Sequence, residues 1–190
     1  MSLIAQDSKP KLFLKGGITD YGNINLSIQK SENASDDFWE IGPIIGAGLE
    51  LSFGEDWFFQ STIEYSQSTY NGYIPYTYRG PVPGKEKIEP GTNTVIDWML
   101  NIKKRWSWFY IISGIGFSSQ HSTDSYVTGY YGAYNYGYVI EGKSSNGMAL
   151  LIGIGFEFSI FQNIDIFLEN SWRIRNCTSP VVQSGISYEL

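Results

Sequence analysis

The chain is short of charge, cysteine and histidine. Asp, Glu, Lys and Arg make up 17% of its 190 residues, against about 25% in an ordinary soluble domain. A single cysteine excludes a disulfide scaffold. The lone His121 and Cys177 lie far apart and have no zinc-binding spacing, and Asp36 with Asp37 lacks the EF-hand pattern, so neither a metal nor a cofactor is expected. Basic residues are few: the formal charge is −6 and no basic stripe exists to neutralise phosphates, which excludes a nucleic-acid binder. No apolar run approaches the roughly 20 residues of a transmembrane helix. Glycines are frequent but lie in strand-like runs with no helix after them, so they form no phosphate-binding loop. What the chain has in abundance is aromatic surface, with 14 Tyr, 11 Phe and 6 Trp, alongside 21 Gly. That composition excludes intrinsic disorder, and the length is that of one domain.

The hydrophobic period is two, not 3.6. Ile41, Pro43, Ile45, Ala47, Leu49, Leu51 and Phe53 alternate with small or acidic residues ending in Glu50 and Ser52. The same split recurs with Trp57, Phe59, Ile63 and Tyr65 against Gln60, Thr62, Glu64 and Ser66. It returns with Ile96, Trp98, Leu100 and Ile102 against Asp97, Asn101 and Lys103. Further segments begin near Leu12, Phe109, Met148, Ile164 and Val182. A strand sends alternate side chains to opposite faces, so this predicts eight strands. The first is either continuous past a bulge or split by a turn at Tyr21 and Gly22. Connections near 54–56, 103–107 and 161–163 are short, whereas those near 31–37, 70–92, 122–146 and 176–180 are longer and polar. Residues 1–10 form a lead-in, read either as the remnant of an export signal or as an arbitrary start. Residues 11–190 form one domain.

Alternation alone fits both a membrane barrel and a soluble, lipocalin-like carrier with its apolar face inside. Three features favour the membrane. The polar face is rich in Gly, Ser and Thr rather than Lys and Glu. The apolar face of 148–158 matches the roughly 9–11 residues a membrane strand needs. Trp39, Trp57, Trp106, Trp108 and Trp172 gather toward strand ends, where indole meets the interface between hydrocarbon and water. Trp98, in mid-strand, is the one tryptophan that a soluble core would explain better.

Residues 45–51, 151–158 and 184–190 carry a resemblance to small bacterial outer-membrane β-barrels of the OmpX and OmpA-transmembrane-domain type, and to porin-like outer-membrane barrel domains of Bacteroidetes. The resemblance implies an all-β, eight-stranded, antiparallel up-and-down transmembrane barrel with both termini periplasmic. The implied surroundings are outer-membrane lipid and lipopolysaccharide, with barrel-assembly machinery at insertion. Ile186, Tyr188 and Leu190 resemble the C-terminal assembly signal of such barrels, departing from it in ending on Leu where the family usually has Phe.

With the polar face inward, the lumen receives Lys15, Glu40, Glu50, Glu64, Asp97, Glu157, Asp165, Glu169, Arg173 and Glu189, with Lys103 at the rim. Carboxylates then outnumber cations, and buried charge must pair or stay hydrated. A filled structural network is the favoured reading, since eight strands leave an interior just wide enough for side chains. A narrow passive channel is the alternative. Tyr73, Tyr76, Tyr78, Tyr130, Tyr131, Tyr134 and Tyr136 fall in the longer connections among Gly, Ser and Asn, a composition of adaptable binding surfaces. Cross-strand tyrosine pairs on strands extended beyond the membrane are the competing reading. A lipid-modifying hydrolase could be built on His121 with Ser119 or Thr123, but no Gly-x-Ser-x-Gly elbow is present. The expectation is a non-enzymatic surface barrel that presents its loops to a partner, for instance as an accessory subunit of an outer-membrane complex.

Overall fold

A computed structural model describes residues 9–20, 41–70, 73–74, 86–87, 91–129, 136–175 and 178–190. Every regular element among them is a strand: β1 (Lys11–Thr19), β2 (Gly42–Ser52), β3 (Trp57–Tyr70), β4 (Tyr73–Ile74), β5 (Glu86–Lys87), β6 (Gly91–Trp106), β7 (Phe109–Gly129), β8 (Tyr136–Phe161), β9 (Ile164–Ile174) and β10 (Thr178–Glu189). Eight of them pair antiparallel in the ring β1-β2-β3-β6-β7-β8-β9-β10, and β10 closes on β1. The expected eight-stranded barrel is therefore present. β4 and β5 form a separate two-stranded ribbon in the β3–β6 connection.

The pairing is staggered. Followed once round from Lys11, partners run through Glu50, Gln60, Asn101, Gly114, Leu151, Arg173 and Ser179. Val181 pairs with Thr19, so in the β1–β10 register Ser179 falls level with a point ten residue steps from Lys11, which gives the stagger of the ring. Ten steps of about 3.3 Å against eight strand spacings of about 4.8 Å tilt the strands by about 40°. This stagger lifts Arg173 of β9 to the level of Glu64 of β3 across the lumen.

Two connections differ from expectation. Residues 122–146 are mostly strand, because β7 and β8 remain paired from Phe109↔Phe156 out to Gly129↔Tyr136. The β9–β10 connection spans only residues 175–177, so it is short where a longer link was expected. The β2–β3, β6–β7 and β8–β9 turns and both described chain ends share one end of the barrel, the short-turn end, where the Leu190 amide donates to the Pro10 carbonyl at 3.0 Å.

Candidate functional site

Parity along each strand decides what the barrel shows to its surroundings. Leu14, Ile45 and Ile152 are more than half exposed, and the outward set continues round the ring as Ile63, Ile96, Ile115, Phe117 and Val182. On β6 the outward run from Trp106 to Ile96 spans ten residues, about 25 Å along the axis at this tilt, the height of the lipid-facing band of an outer-membrane barrel. Trp57, Trp106 and Trp108 stand outward at the short-turn end. There Lys104 lays its ammonium 5.1 Å from the Trp57 ring and 5.8 Å from the Trp106 ring, and bonds Asp56 at 3.2 Å. Trp172 is outward near the opposite end of β9. Trp98 also faces outward and donates its indole N–H to Ser61 Oγ at 3.2 Å. It fills no core, and the inversion of a soluble carrier is complete: the apolar set is outside.

Inside, the charged side chains gather in two groups, and Lys15, Glu50, Lys103, Tyr110, Glu157 and Glu169 of both line one small space. At the short-turn end Lys103 bonds Glu50 at 2.7 Å and also pairs with Glu157. Lys11 bonds Asp165 at 2.5 Å, and Arg105 donates to Glu157 at 3.1 Å. Gln60 donates to Glu50 at 2.6 Å. Farther in, Arg173 grips Glu64 with two bonds, Nε at 2.9 Å and a terminal nitrogen at 2.7 Å, while Lys15 pairs with the same carboxylate. Glu169 accepts from Tyr110 at 3.2 Å, Gln183 at 2.8 Å and Ser171 at 3.1 Å. Arg175 pairs with Asp97. Met99, Tyr110, Ile112, Ala149 and Leu151 pack together between β6, β7 and β8, and the Lys103 ammonium sits 4.7 Å over the Tyr110 ring.

The sequence-predicted lumen residues Lys15, Glu50, Glu64, Asp97, Glu157, Asp165, Glu169 and Arg173 are all buried, and Glu189 is half-buried at the mouth. Glu40 and Trp39 lie outside the described residues. Lys103 is corrected from the rim to the interior, where it is 4% exposed. The expected surplus of carboxylates narrows once three further cations are placed. Among the described residues Lys11, Lys15, Lys103, Arg105, Arg173 and Arg175, six cations, lie against the six buried carboxylates Glu50, Glu64, Asp97, Glu157, Asp165 and Glu169, several of them shared, and Glu189 at the mouth is a seventh. Lys11, Arg105 and Arg175 were missed, although parity would have found them: Asn101, Lys103 and Arg105 share one face of β6, and Arg173 and Arg175 continue one face of β9. The space left among Phe13, Glu50, Lys103, Tyr110 and Glu157 is about 10 Å³, room for one water at most.

The other end of the barrel is uneven. β9 and β10 stop at Ile174 and Thr178, whereas β7 and β8 continue outward as a hairpin. β8 pairs with β9 only from Leu150, its partner being Ile174. Over residues 136–149, therefore, β8 has β7 on one side and no described strand on the other. That is roughly 45 Å of strand edge at about 3.3 Å per residue. Tyr136 is on this strand rather than in a loop, and Tyr73 is on β4. Tyr76, Tyr78, Tyr130, Tyr131 and Tyr134 lie outside the described residues. At the hairpin base His121 Nδ1 is 3.0 Å from Ser144 Oγ, both exposed. The serine comes from the neighbouring strand β8, where position 119 or 123 was expected to supply the hydroxyl; the side chain of Thr123 lies outside the described residues. Among the described residues no carboxylate bonds the imidazole's other nitrogen, the place of the orienting acid in a hydrolytic triad.

No family model matches the chain, and no curated protein matches it. Its fold is similar to that of Ail, the attachment invasion locus protein of Yersinia pestis, at TM-score 0.53 and 10% identity over 97% of this chain and 100% of that one. The structure of Ail with the heparin analogue sucrose octasulfate matches at TM-score 0.52 and 10% identity over 96% and 99%. Outer membrane protein OprG from Pseudomonas aeruginosa matches at TM-score 0.48 and 9% identity over 96% and 97%. At these identities the likeness is one of fold.

Proposed function

We propose that the chain is a bacterial outer-membrane barrel that holds a polypeptide partner at the cell surface by strand addition to the outer edge of β8, beside which no described strand lies. The stretch of β8 over residues 136–149, paired to β7 and flanked by no described strand on its other side, carries this reading. A strand with one side unpaired presents a row of backbone N–H and C=O groups that an extended segment can satisfy. The barrel beneath it is a rigid mount: charged groups are paired inside and apolar ones face lipid. The reading places both chain ends in the periplasm with the short turns, sets the apolar band against outer-membrane lipid and lipopolysaccharide, and makes Ile186, Tyr188 and Leu190 the strand that the assembly machinery engages. The Tyr-, Gly- and Ser-rich sequence of the longer connections has the composition of adaptable contact surfaces. A partner in a larger outer-membrane complex fits the same surface. A passive channel is the weaker reading, because the lumen is filled at the level of Lys103 and Tyr110. The ligand of Ail does not transfer with the fold.

The test is a photo-crosslinking residue at Asn146, exposed at the base of the edge, illuminated on intact cells. A polypeptide adduct is expected, and it is lost when residues 125–140 are replaced by a tight turn that leaves the barrel intact. Adducts with lipopolysaccharide alone, or polypeptide adducts that survive the shortening, refute strand addition.

A further inference from the structure

The outward face of β9 carries a polar residue where hydrocarbon is expected. Its outward positions run Ile164, Ile166, Leu168, Asn170, Trp172 and Ile174, and Asn170 is flanked in register by Ile154 of β8 and Val182 of β10. Asn170 is exposed, and no side-chain hydrogen bond reaches its amide among the described residues. Six residues above Ile164 it sits about 15 Å into a band about 25 Å tall, where a lipid chain offers neither donor nor acceptor. The surface beside it is not flat. Leu14 and Ile186 form a ridge between two recesses. One, of about 580 Å³, is floored by Gly16 and Ser184; the other, of about 690 Å³, reaches Ala47 and Ser61.

We propose that the face formed by β9, β10 and β1 docks a second copy of this chain within the bilayer, the two Asn170 amides bonding each other. The inference rests on the barrel spanning a membrane. Two arguments select a second copy over another occupant. Copies inserted in the same direction hold Asn170 at the same depth, so a two-fold axis along the membrane normal brings each amide opposite itself. An amide carries both donor and acceptor, so each N–H donates to the other's C=O; among like residues a lysine or a carboxylate could not do this. The small residues at Gly16 and Ser184 allow the close approach that packing between membrane segments needs.

The experiment uses the full chain in native membranes with Cys177→Ser as background. Val182→Cys, beside Asn170, is expected to cross-link on oxidation, and Ile111→Cys on the far wall is not. Adding Asn170→Leu to Val182→Cys is expected to weaken association by about tenfold while the unboiled barrel keeps its shifted gel mobility. A folded barrel that gives no Val182 cross-link, equal cross-linking at Ile111, or no response to Asn170→Leu overturns the proposal and leaves lipid as the occupant. A chain recovered without detergent, with no mobility shift, overturns it at the earlier step by removing the bilayer.

Discussion

Replacing Arg173 by Met tests whether the lumen is a packed interior. Arg173 is 0% exposed, holds Glu64 by two hydrogen bonds, donates to Ser171 at 2.7 Å and lies 3.9 Å from Glu169. Its loss leaves Glu64 to Lys15 alone and removes the cation nearest Glu169. Breaking a buried pair on one side costs about 3–5 kcal/mol, because the remaining charge stays desolvated. A water-filled lumen would hydrate the freed carboxylate, and the loss would fall below about 1 kcal/mol, the range of exposed pairs. The triple variant Lys15→Met, Glu64→Leu, Arg173→Met separates lost attraction from stranded charge. Removing the whole triad replaces ions by apolar volume, so it is expected to cost much less than Arg173→Met alone. The assay is urea unfolding of the barrel in lipid vesicles, followed by tryptophan fluorescence and by mobility of the unboiled protein. A single-variant loss under about 1 kcal/mol, or unit conductance of the unaltered protein in planar bilayers, would refute a filled and closed lumen.

Gly155→Val is expected to destabilise by at least about 2 kcal/mol, since a Cβ there would lie 2.3 Å from the Tyr110 ring and displace the group that donates to Glu169. Gly147→Ala meets nothing within 4 Å and is expected to stay within about 0.5 kcal/mol; the same unfolding assay reads both. A variant keeping only Trp98 is expected to be quenched more strongly by lipids brominated deep in the chain than one keeping only Trp106, and equal quenching would contradict the outward placement along β6. His121→Ala is expected to leave the lipid A mass spectrum of expressing cells unchanged; an altered acyl pattern in the parent that disappears in the variant would make the His121–Ser144 pair catalytic.

The eight strands were legible because period two imposes one parity on each of them, and Glu64, Asp97, Glu169 and Arg173 could be assigned inward on parity alone. Which of these meet was not legible. Glu64 and Arg173 come together through the stagger, which sums register over the whole ring and leaves no local trace in the chain. Lys103 was placed at the rim and Arg105 fell in the expected 103–107 connection, yet β6 runs through both to a tight turn at Ser107, whose φ is 57°. Apolar inward residues were missed for a related reason. Phe13, Met99 and Ile112 sit on the nominally polar face, where the glycines opposite leave room for large side chains. The raised hairpin was obscured because Tyr, Gly and Ser between 122 and 146 fit loops and extended strands alike.

The seam between β1 and β10 joins Lys11 to Glu189, nearly the whole sequence apart. Until that seam forms, Lys11–Thr19 and its eventual partner are raw edges, and in hydrocarbon every unpaired backbone group is costly. Contacts of such long sequence separation also form slowly, since the intervening loop must be ordered before they reward it. The ring therefore cannot be laid down strand by strand in the bilayer. β1 has to be kept paired or sheltered until the last segment arrives, and a chain cut anywhere before Thr178 is left with two open edges rather than a slightly smaller barrel.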